Sequence, residues 1–237
     1  MERWVVAAKR ADFAAIGKEF GIDPVIARLI RNRDVQDRDE IRRYLYGKVD
    51  ELASPHLMKD VDKAVEILRN KIKEKKRIRI IGDYDIDGVI STFILIKGLK
   101  RAGALADTYI PDRVADGYGI HEHLIERAVN DGIDVIVTCD NGIAAIGEIA
   151  HAKSLGMTVL VTDHHEVPYR EITGVDGMTE REEILPPSLV IDPKQKGCPY
   201  PYKGICGAVV AYKLVQVLLE QGNAGDFVDS VSLRLVF

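Results

Sequence analysis

From about residue 60 to residue 221 the chain alternates between two hydrophobic periods, one typical of strands and one typical of helices. Short runs of β-forming apolar residues recur, and segments with apolar residues three and four positions apart separate them. The predicted strands are 77–82, 107–110, 133–139, 157–162 and 188–191. This alternation predicts an α/β fold with a parallel sheet covered on both faces by helices.

The predicted helices lie between these strands and at the two ends of the series. The first runs from about residue 60 to the first strand, and the others cover 88–102, 121–131, 143–155 and 204–221. The segment 167–187 carries charge, Pro and Gly but shows no period, and we expect it to be a long loop that is functional, mobile or both.

The first 58 residues have a different pattern, with helical spacing and no strand signal beyond residues 4–8. Val25, Ile26, Leu29 and Ile30 fit one helix, a second is expected at 37–45, and Pro55 breaks the pattern. The sequence therefore predicts a helical N-terminal extension, residues 1–58, followed by an α/β domain, residues 59–237.

Composition is that of an ordinary soluble globular protein, with 46% hydrophobic and 30% charged residues and a net charge of −4. No apolar run is long enough to span a bilayer, and the first residues lack a secretory signal, so we expect a cytoplasmic protein without a membrane partner. Three cysteines without CxxC spacing fit neither a disulfide framework nor a zinc knuckle. The basic run 69–79 could contact a phosphate backbone, although a solvated helix face is the favoured interpretation.

Acidic residues follow the first strand at every second position, as Asp83, Asp85 and Asp87. In extended backbone such residues share a face, and three clustered carboxylates need a hard divalent cation to offset their repulsion. Gly88 then permits a tight turn into a helix whose N-terminal amides could bind a phosphate. The alternative is a simple capping turn with Asp87 as the N-cap.

Two later strands are also followed by residues that can bind a metal or transfer a proton. Asp140 follows the strand 133–139 and is a candidate ligand that bridges two ions, although Asp-Asn-Gly alone would indicate only a turn. Asp163, His164 and His165 follow the strand 157–162. One histidine could ligate a metal and the other orient or protonate a phosphate, with Asp163 fixing an imidazole tautomer. Such a binuclear site is suited to hydrolysis of phosphate esters.

The stretches 82–88, 138–143 and 161–166 resemble the first three motifs of the DHH phosphoesterase family, most closely those of its single-strand-specific DNA exonucleases. The segments 110–119 and 191–210 resemble further parts of that branch. The resemblance implies that Asp85, Asp87, Asp140 and His164 bind the metals, with Asp140 bridging. It also implies that Asp83 is a further ligand or neighbour, that His165 is a phosphate-facing acid, that Asp229 is the fourth-motif metal ligand and that Arg113 contacts the DNA phosphate. With the residue pattern, this makes His165 and Asp163 the candidate catalytic residues, and Arg113 and Gly88 the candidate substrate-binding residues.

The activity implied by the resemblance is hydrolysis of single-stranded DNA from its 5′ end, in DNA repair and recombination, with two Mn²⁺ or Mg²⁺ ions as cofactors. The family's Gly-Thr-x-x-Asp segment and second domain are not found in these 237 residues, and we expect a metal site without the other wall of its cleft. Position 192 is Asp where the branch usually has Asn.

Three alternatives remain open from the sequence. The chain could be a small-substrate phosphoesterase of the same family, acting on short oligonucleotides or cyclic dinucleotides. It could be a binding module that keeps the fold without turnover. The acidic turn could also be a phosphoryl-acceptor site, although the paired histidines would have no role in one.

Overall fold

The structure of the protein is a computed structural model, which describes residues 9–173 and 178–220. The chain forms two compact units, of which the first runs to Leu52 and the second begins at Ala53. The predicted boundary between residues 58 and 59 lies six residues further along the chain, and the assignment of domains stays a prediction. The strand signal at 4–8 and the candidate ligand Asp229 fall outside the described residues.

The first unit is helical in its described part. Its α-helices are α1 Phe13–Phe20, α2 Pro24–Asn32 and α3 Arg38–Tyr46. Each begins after an aspartate whose carboxylate accepts a hydrogen bond from a first-turn amide, and these caps are Asp12, Asp23 and Asp37. Such caps satisfy amides that have no partner within the helix, which explains why three short helices start where they do.

The second unit contains five α-helices and seven strands among the described residues. The helices are α4 Val61–Lys73, α5 Ile86–Arg101, α6 Glu122–Asn130, α7 Ile146–Ser154 and α8 Gly207–Leu219. The strands are β1 Arg77–Ile81, β2 Leu105–Tyr109, β3 Val135–Cys139, β4 Thr158–Thr162, β5 Tyr169–Thr173, β6 Thr179–Glu183 and β7 Leu189–Ile191. Five strands form one sheet in the order β2-β1-β3-β4-β7, and every neighbouring pair is parallel.

Helices pack on both faces of this sheet, which confirms the predicted fold. On one face Ile81 and Ile136 of the sheet share a hydrophobic cluster with Ile125 of α6 and Ile149 of α7. Helices α4, α5 and α8 pack together on the other face. All five residues of β3 are buried, as expected for a strand covered on both sides. Among the described residues, no helix is both long and apolar enough to cross a membrane.

The segment 167–187 is not a loop throughout, so that part of the prediction was wrong. It contains β5 and β6, which pair antiparallel. The two strands are almost entirely exposed, and polar contacts join them: Arg170 forms an ion pair with Glu182, and the Arg181 guanidinium makes a cation–π contact with the ring of Tyr169. Because cross-strand charge pairs rather than an apolar face hold this hairpin together, the hydrophobic period could not reveal it.

A buried charged side chain lies within the parallel sheet, on β1. Arg79 is buried, and its guanidinium donates two hydrogen bonds of 2.8 Å to Asp107 of β2 and one of 2.7 Å to Asp131. The two carboxylates satisfy the donors of a guanidinium that the strand would otherwise hold away from water.

We expect Arg79→Met to destabilise the second unit by about 1–2 kcal/mol, because both carboxylates lose their partner while remaining partly exposed. Urea unfolding followed by circular dichroism measures the change. Lys63→Met is the control, since it removes an exposed ion pair with Asp60 in the same unit and is expected to have no measurable effect. Equal midpoints for all three proteins would contradict the structural role of Arg79.

Candidate metal centre

The acidic and imidazole groups lie at the carboxyl edge of the parallel sheet. Asp83, Asp140 and Asp163 follow the ends of β1, β3 and β4, which are neighbours in the sheet. The register aligns Ile81 with Thr138 and Cys139 with Thr162, so the residues after the strands emerge side by side. This edge is where open α/β sheets bind their ligands.

The acidic turn after β1 differs from the extended segment that its period-two pattern predicted. Helix α5 begins at Ile86, and Asp85 is its N-cap, with the side chain accepting a 2.9 Å hydrogen bond from the Gly88 amide. The prediction of extended backbone through residue 87 was therefore wrong, and so was the alternative with Asp87 as the cap. A helix start competes with an extended run wherever an aspartate can cap it.

Asp87 lies in the first turn of α5 and faces the start of another helix. Its two carboxylate oxygens accept hydrogen bonds from the amides of Gly207 and Ala208, at 2.7 and 2.8 Å. These amides belong to the N-terminus of α8, where backbone donors and the helix dipole favour a negative charge. Asp87 thus connects the start of α5 to the start of α8, and its Oδ2 also lies 3.5 Å from Nε2 of His164.

Two overlapping groups of side chains could each hold a metal ion. Ligand atoms of Asp83, Asp85 and Asp140 lie within 4.8 Å of one another, and the same is true of Asp140, His164 and His165. Asp140 is common to both groups. This geometry is the one expected of a carboxylate that bridges two cations.

The polar atoms at this edge lack the partners that a buried group requires. Among the described residues, Oδ1 of Asp83 and Oδ1 of Asp140 are buried and accept no hydrogen bond. Burial and the neighbouring carboxylates raise the pKa of Asp83, and they raise that of Asp140 to about 6. Nε2 of His164 lies 2.9 Å from Oδ1 of Asp140 without the alignment of a hydrogen bond. A divalent cation would satisfy these oxygens, and the oxygen-and-imidazole set fits Mn²⁺ or Mg²⁺.

The backbone at Asp140 has an uncommon conformation, with φ of 59° in the left-handed region. This conformation costs energy in a residue other than glycine, and such strain is concentrated at functional sites. Gly207 packs directly against the side chain, since a Cβ added there would lie 2.7 Å from Oδ1 of Asp140. The start of α8 therefore fixes where the Asp140 carboxylate can lie.

Asp163 and His165 form a hydrogen-bonded pair beside the two groups. The buried Asp163 accepts hydrogen bonds from the amides of Ile143, His164 and His165, and a 2.7 Å bond from Nδ1 of His165. Burial opposes the charge on Asp163, but these donors outweigh it and lower the pKa of the carboxyl. The same bond to Asp163 raises the pKa of His165 to about 9, against the effect of burial. The Nδ1 proton is thus committed to Asp163, and Nε2 remains for a ligand or a substrate.

Two tyrosine rings connect the predicted substrate residue Arg113 to this pair. The Arg113 guanidinium stacks 5.5 Å above the ring of Tyr84, and Tyr84 makes an edge contact with Tyr118. The Tyr118 hydroxyl lies 3.5 Å from Nε2 of His165, a contact that no motif in the sequence indicated. The Gly88 amide is occupied by Asp85, and a Cβ at this position would lie 2.5 Å from the Asp83 carbonyl oxygen. Gly88 therefore permits a close approach of the backbone, and its role at a substrate stays a prediction.

Comparison of the chain with known protein families and structures agrees with the geometry of this edge. A family model described as the N-terminal domain of the DHH family matches residues 77–236, so the chain belongs to the DHH family. The resemblance inferred from the three motifs is thereby confirmed.

The chain is similar to the single-stranded-DNA-specific exonuclease RecJ from several bacteria. It is 35% identical to RecJ of Bacillus subtilis strain 168 over 220 residues, which cover 92% of this chain and 26% of that protein. It is 34% identical to RecJ of Escherichia coli K12 over 230 residues, covering 91% of this chain and 37% of that protein. The chain thus spans well under half the length of these relatives.

Two solved structures have similar folds and moderate sequence identity. A crystal structure of exonuclease RecJ bound to manganese is 32% identical, with a TM-score of 0.58, and the match covers 69% of this chain and 38% of that one. RecJ of Thermus thermophilus in complex with Mn²⁺ is 25% identical, with a TM-score of 0.59, and the match covers 88% of this chain and 27% of that one.

Proposed function

We propose that this chain is a phosphodiesterase domain that hydrolyses single-stranded DNA with two Mn²⁺ or Mg²⁺ ions. The observation that carries the proposal is the pair of ligand groups that share Asp140. Two-metal sites with such a bridging group are suited to displacement at phosphorus. The relatives named as single-stranded-DNA-specific exonucleases, and the manganese in two similar structures, support the substrate and the metal.

The residues of the two groups would hold the ions. Asp83, Asp85 and Asp140 would bind one, and Asp140 with His164 would bind the other, with Asp87 close to His164. The bound ions would supply Lewis acidity for the attack of water on the phosphorus and charge to stabilise the leaving oxygen. Asp229 stays a further proposed ligand.

Asp163 and His165 are proposed to act on the phosphate. Asp163 holds the Nδ1 proton of His165 and so directs Nε2 outward, towards Tyr118. In the metal-free protein the pKa of His165 is raised to about 9, so Nε2 can also carry a proton at neutral pH. That proton can be donated to a phosphate oxygen, or to the leaving oxygen as the bond breaks.

The proposed path of the strand leads past Arg113. A guanidinium can bind a phosphate oxygen, and the rings of Tyr84 and Tyr118 beside it offer surfaces on which bases stack. Digestion from the 5′ end is the polarity that the resemblance of the motifs implies, and we include it in the proposal together with a cytoplasmic location.

Hydrolysis of a long 5′-phosphorylated single strand by the purified chain tests the proposal. With Mn²⁺ we expect mononucleotides to be released, and we expect EDTA to stop the reaction until excess Mn²⁺ restores it. A duplex of the same sequence and a dinucleotide are the comparison substrates. Faster cleavage of the dinucleotide would favour a small-substrate phosphoesterase, and no metal-dependent cleavage of any substrate would favour a binding module.

A further inference from the structure

A lysine lies beside the candidate metal centre, on the turn that follows β7. The amide of Lys194 donates a 2.7 Å hydrogen bond to the fully buried Asp192, and the side chain of Gln195 donates one of 2.7 Å to the carbonyl of Val190. These bonds fix the turn to the end of β7, which pairs with β4 through Ile191 and Thr162. Lys194 therefore extends from a rigid base at the same edge of the sheet as Asp163 and the two histidines.

The ammonium group of Lys194 has a partner that is easily exchanged. Its Nζ lies 2.9 Å from Oε1 of Glu166, the residue directly after His165. The Glu166 side chain is 87% exposed, whereas that of Lys194 is only 26% exposed. An ion pair with one member in open solvent contributes little to stability, so another anion can displace Glu166 at small cost. The positive charge of Lys194 also acts on His165, where it opposes the rise in pKa.

A phosphate approaching this edge encounters mostly negative charge. The carboxylates there include those of Asp83, Asp85, Asp87, Asp140 and Asp163, and Asp192 and Glu166 lie beside them. Bound cations would offset part of this charge, yet a phosphodiester strand carries further phosphates that the ions do not contact. A cation on the rim, held by a rigid turn and paired with a weak partner, is suited to bind one of them.

We propose that Lys194 is a substrate-binding residue that takes a phosphate of the DNA strand in exchange for Glu166. The inference rests on the proposed function and adds to it a phosphate contact on the β7 side of the centre. In the free protein, Glu166 occupies the ammonium group and competes with the substrate. The carboxylate leaves towards solvent when the phosphate oxygen accepts the Nζ hydrogen bond.

Four variants of the full chain test this exchange in two measurements. The first is the steady-state hydrolysis of a 5′-phosphorylated single strand, and the second is the affinity for thymidine 5′-monophosphate in the presence of Mn²⁺, measured by calorimetry. Lys194→Met is expected to raise KM and the nucleotide Kd roughly tenfold to a hundredfold, with kcat little changed. Glu166→Gln is expected to lower both by a few-fold. The other two variants are the double mutant and Lys196→Met, which removes an exposed positive charge from the same turn and controls for net charge.

The two single variants distinguish the exchange from a structural ion pair. If the pair only stabilised the fold, both substitutions would shift KM and the melting temperature in the same direction, and that result would overturn the inference. Exchange requires opposite signs, and it requires Glu166→Gln to lose most of its effect in the Lys194→Met background. An effect of Lys196→Met as large as that of Lys194→Met would also overturn it. Absence of hydrolysis and nucleotide binding in the unaltered chain would refute the proposed function itself.

Discussion

We expect replacement of Asp140 by alanine to abolish high-affinity binding of both proposed Mn²⁺ ions, which is the largest effect expected of any single substitution in this chain. Asp140 is the one residue common to the two ligand groups, so its loss removes a ligand from each. Loss of groups that merely support metal ligands typically costs tenfold to a hundredfold in affinity, and we expect loss of the shared ligand to exceed about a hundredfold. Isothermal titration of the variant with Mn²⁺ measures the change.

The matched control is Glu126→Gln, which removes an exposed carboxylate from α6. It is expected to bind Mn²⁺ like the unaltered chain. The Asp140 variant should remain folded, because the substitution also relieves a buried charge that repels the carboxylates around it. Unchanged Mn²⁺ affinity in Asp140→Ala would refute the binuclear centre, whatever the activity of the protein.

Gly207→Ala is expected to lower Mn²⁺ affinity at least about tenfold, although the residue carries no ligand atom. The new methyl group would lie 2.7 Å from Oδ1 of Asp140 and 3.0 Å from its Cβ, while the Asp140 backbone is held in the left-handed region. The carboxylate can then avoid the methyl group only by rotating, which would take its oxygens away from the proposed ions. Mn²⁺ titration, with a thermal melt of the metal-free protein, separates the loss of affinity from a loss of stability.

Gly147→Ala is the control for the same substitution in a helix. A Cβ at Gly147, near the start of α7, meets no atom within 4 Å, so the change should leave Mn²⁺ affinity intact and raise stability by about 0.5–1 kcal/mol. Equal affinities for the Gly207 and Gly147 variants would show that α8 does not constrain the bridging carboxylate.

The order of elements in the second unit could be predicted because the hydrophobic pattern there follows directly from burial. Strands covered on both sides must be apolar throughout, as β3 is, and the helices between them need one apolar face. Helix and strand ends differ from the prediction by a few residues. The start of α7, expected at 143 and found at Ile146, is the clearest case, because the turn after Asp140 occupies the intervening residues.

The candidate ligands could be found from the sequence, but their geometry could not. Strand ends brought Asp83, Asp140 and His164 together as expected, since parallel neighbours end at one edge. The conformations of Asp85 as a helix cap and Asp140 in the left-handed region depend on local competition between hydrogen bonds, which the residue pattern does not encode.

Contacts that distant segments make beside the centre were the hardest to predict. Tyr118 reaches His165 from the segment between β2 and α6, and Lys194 reaches Glu166 from the turn after β7. Both lie in segments that resemble the family branch, 110–119 and 191–210, but the residue pattern there does not indicate which side chain each would contact. Their proximity results from the order of strands and the course of the connections, so only the folded chain reveals it.

The charged hairpin of β5 and β6 has a consequence for the behaviour of the protein at high concentration. In the part of the chain that the structure describes, each of these strands pairs on one side only, which leaves a backbone edge open to a strand from another molecule. Glu180 and Glu182 on one strand and Arg170 and Glu171 on the other stand along those edges, exposed to solvent. A strand joining there would have to desolvate these charges, so the charged side chains of the two strands also protect them from edge-to-edge aggregation.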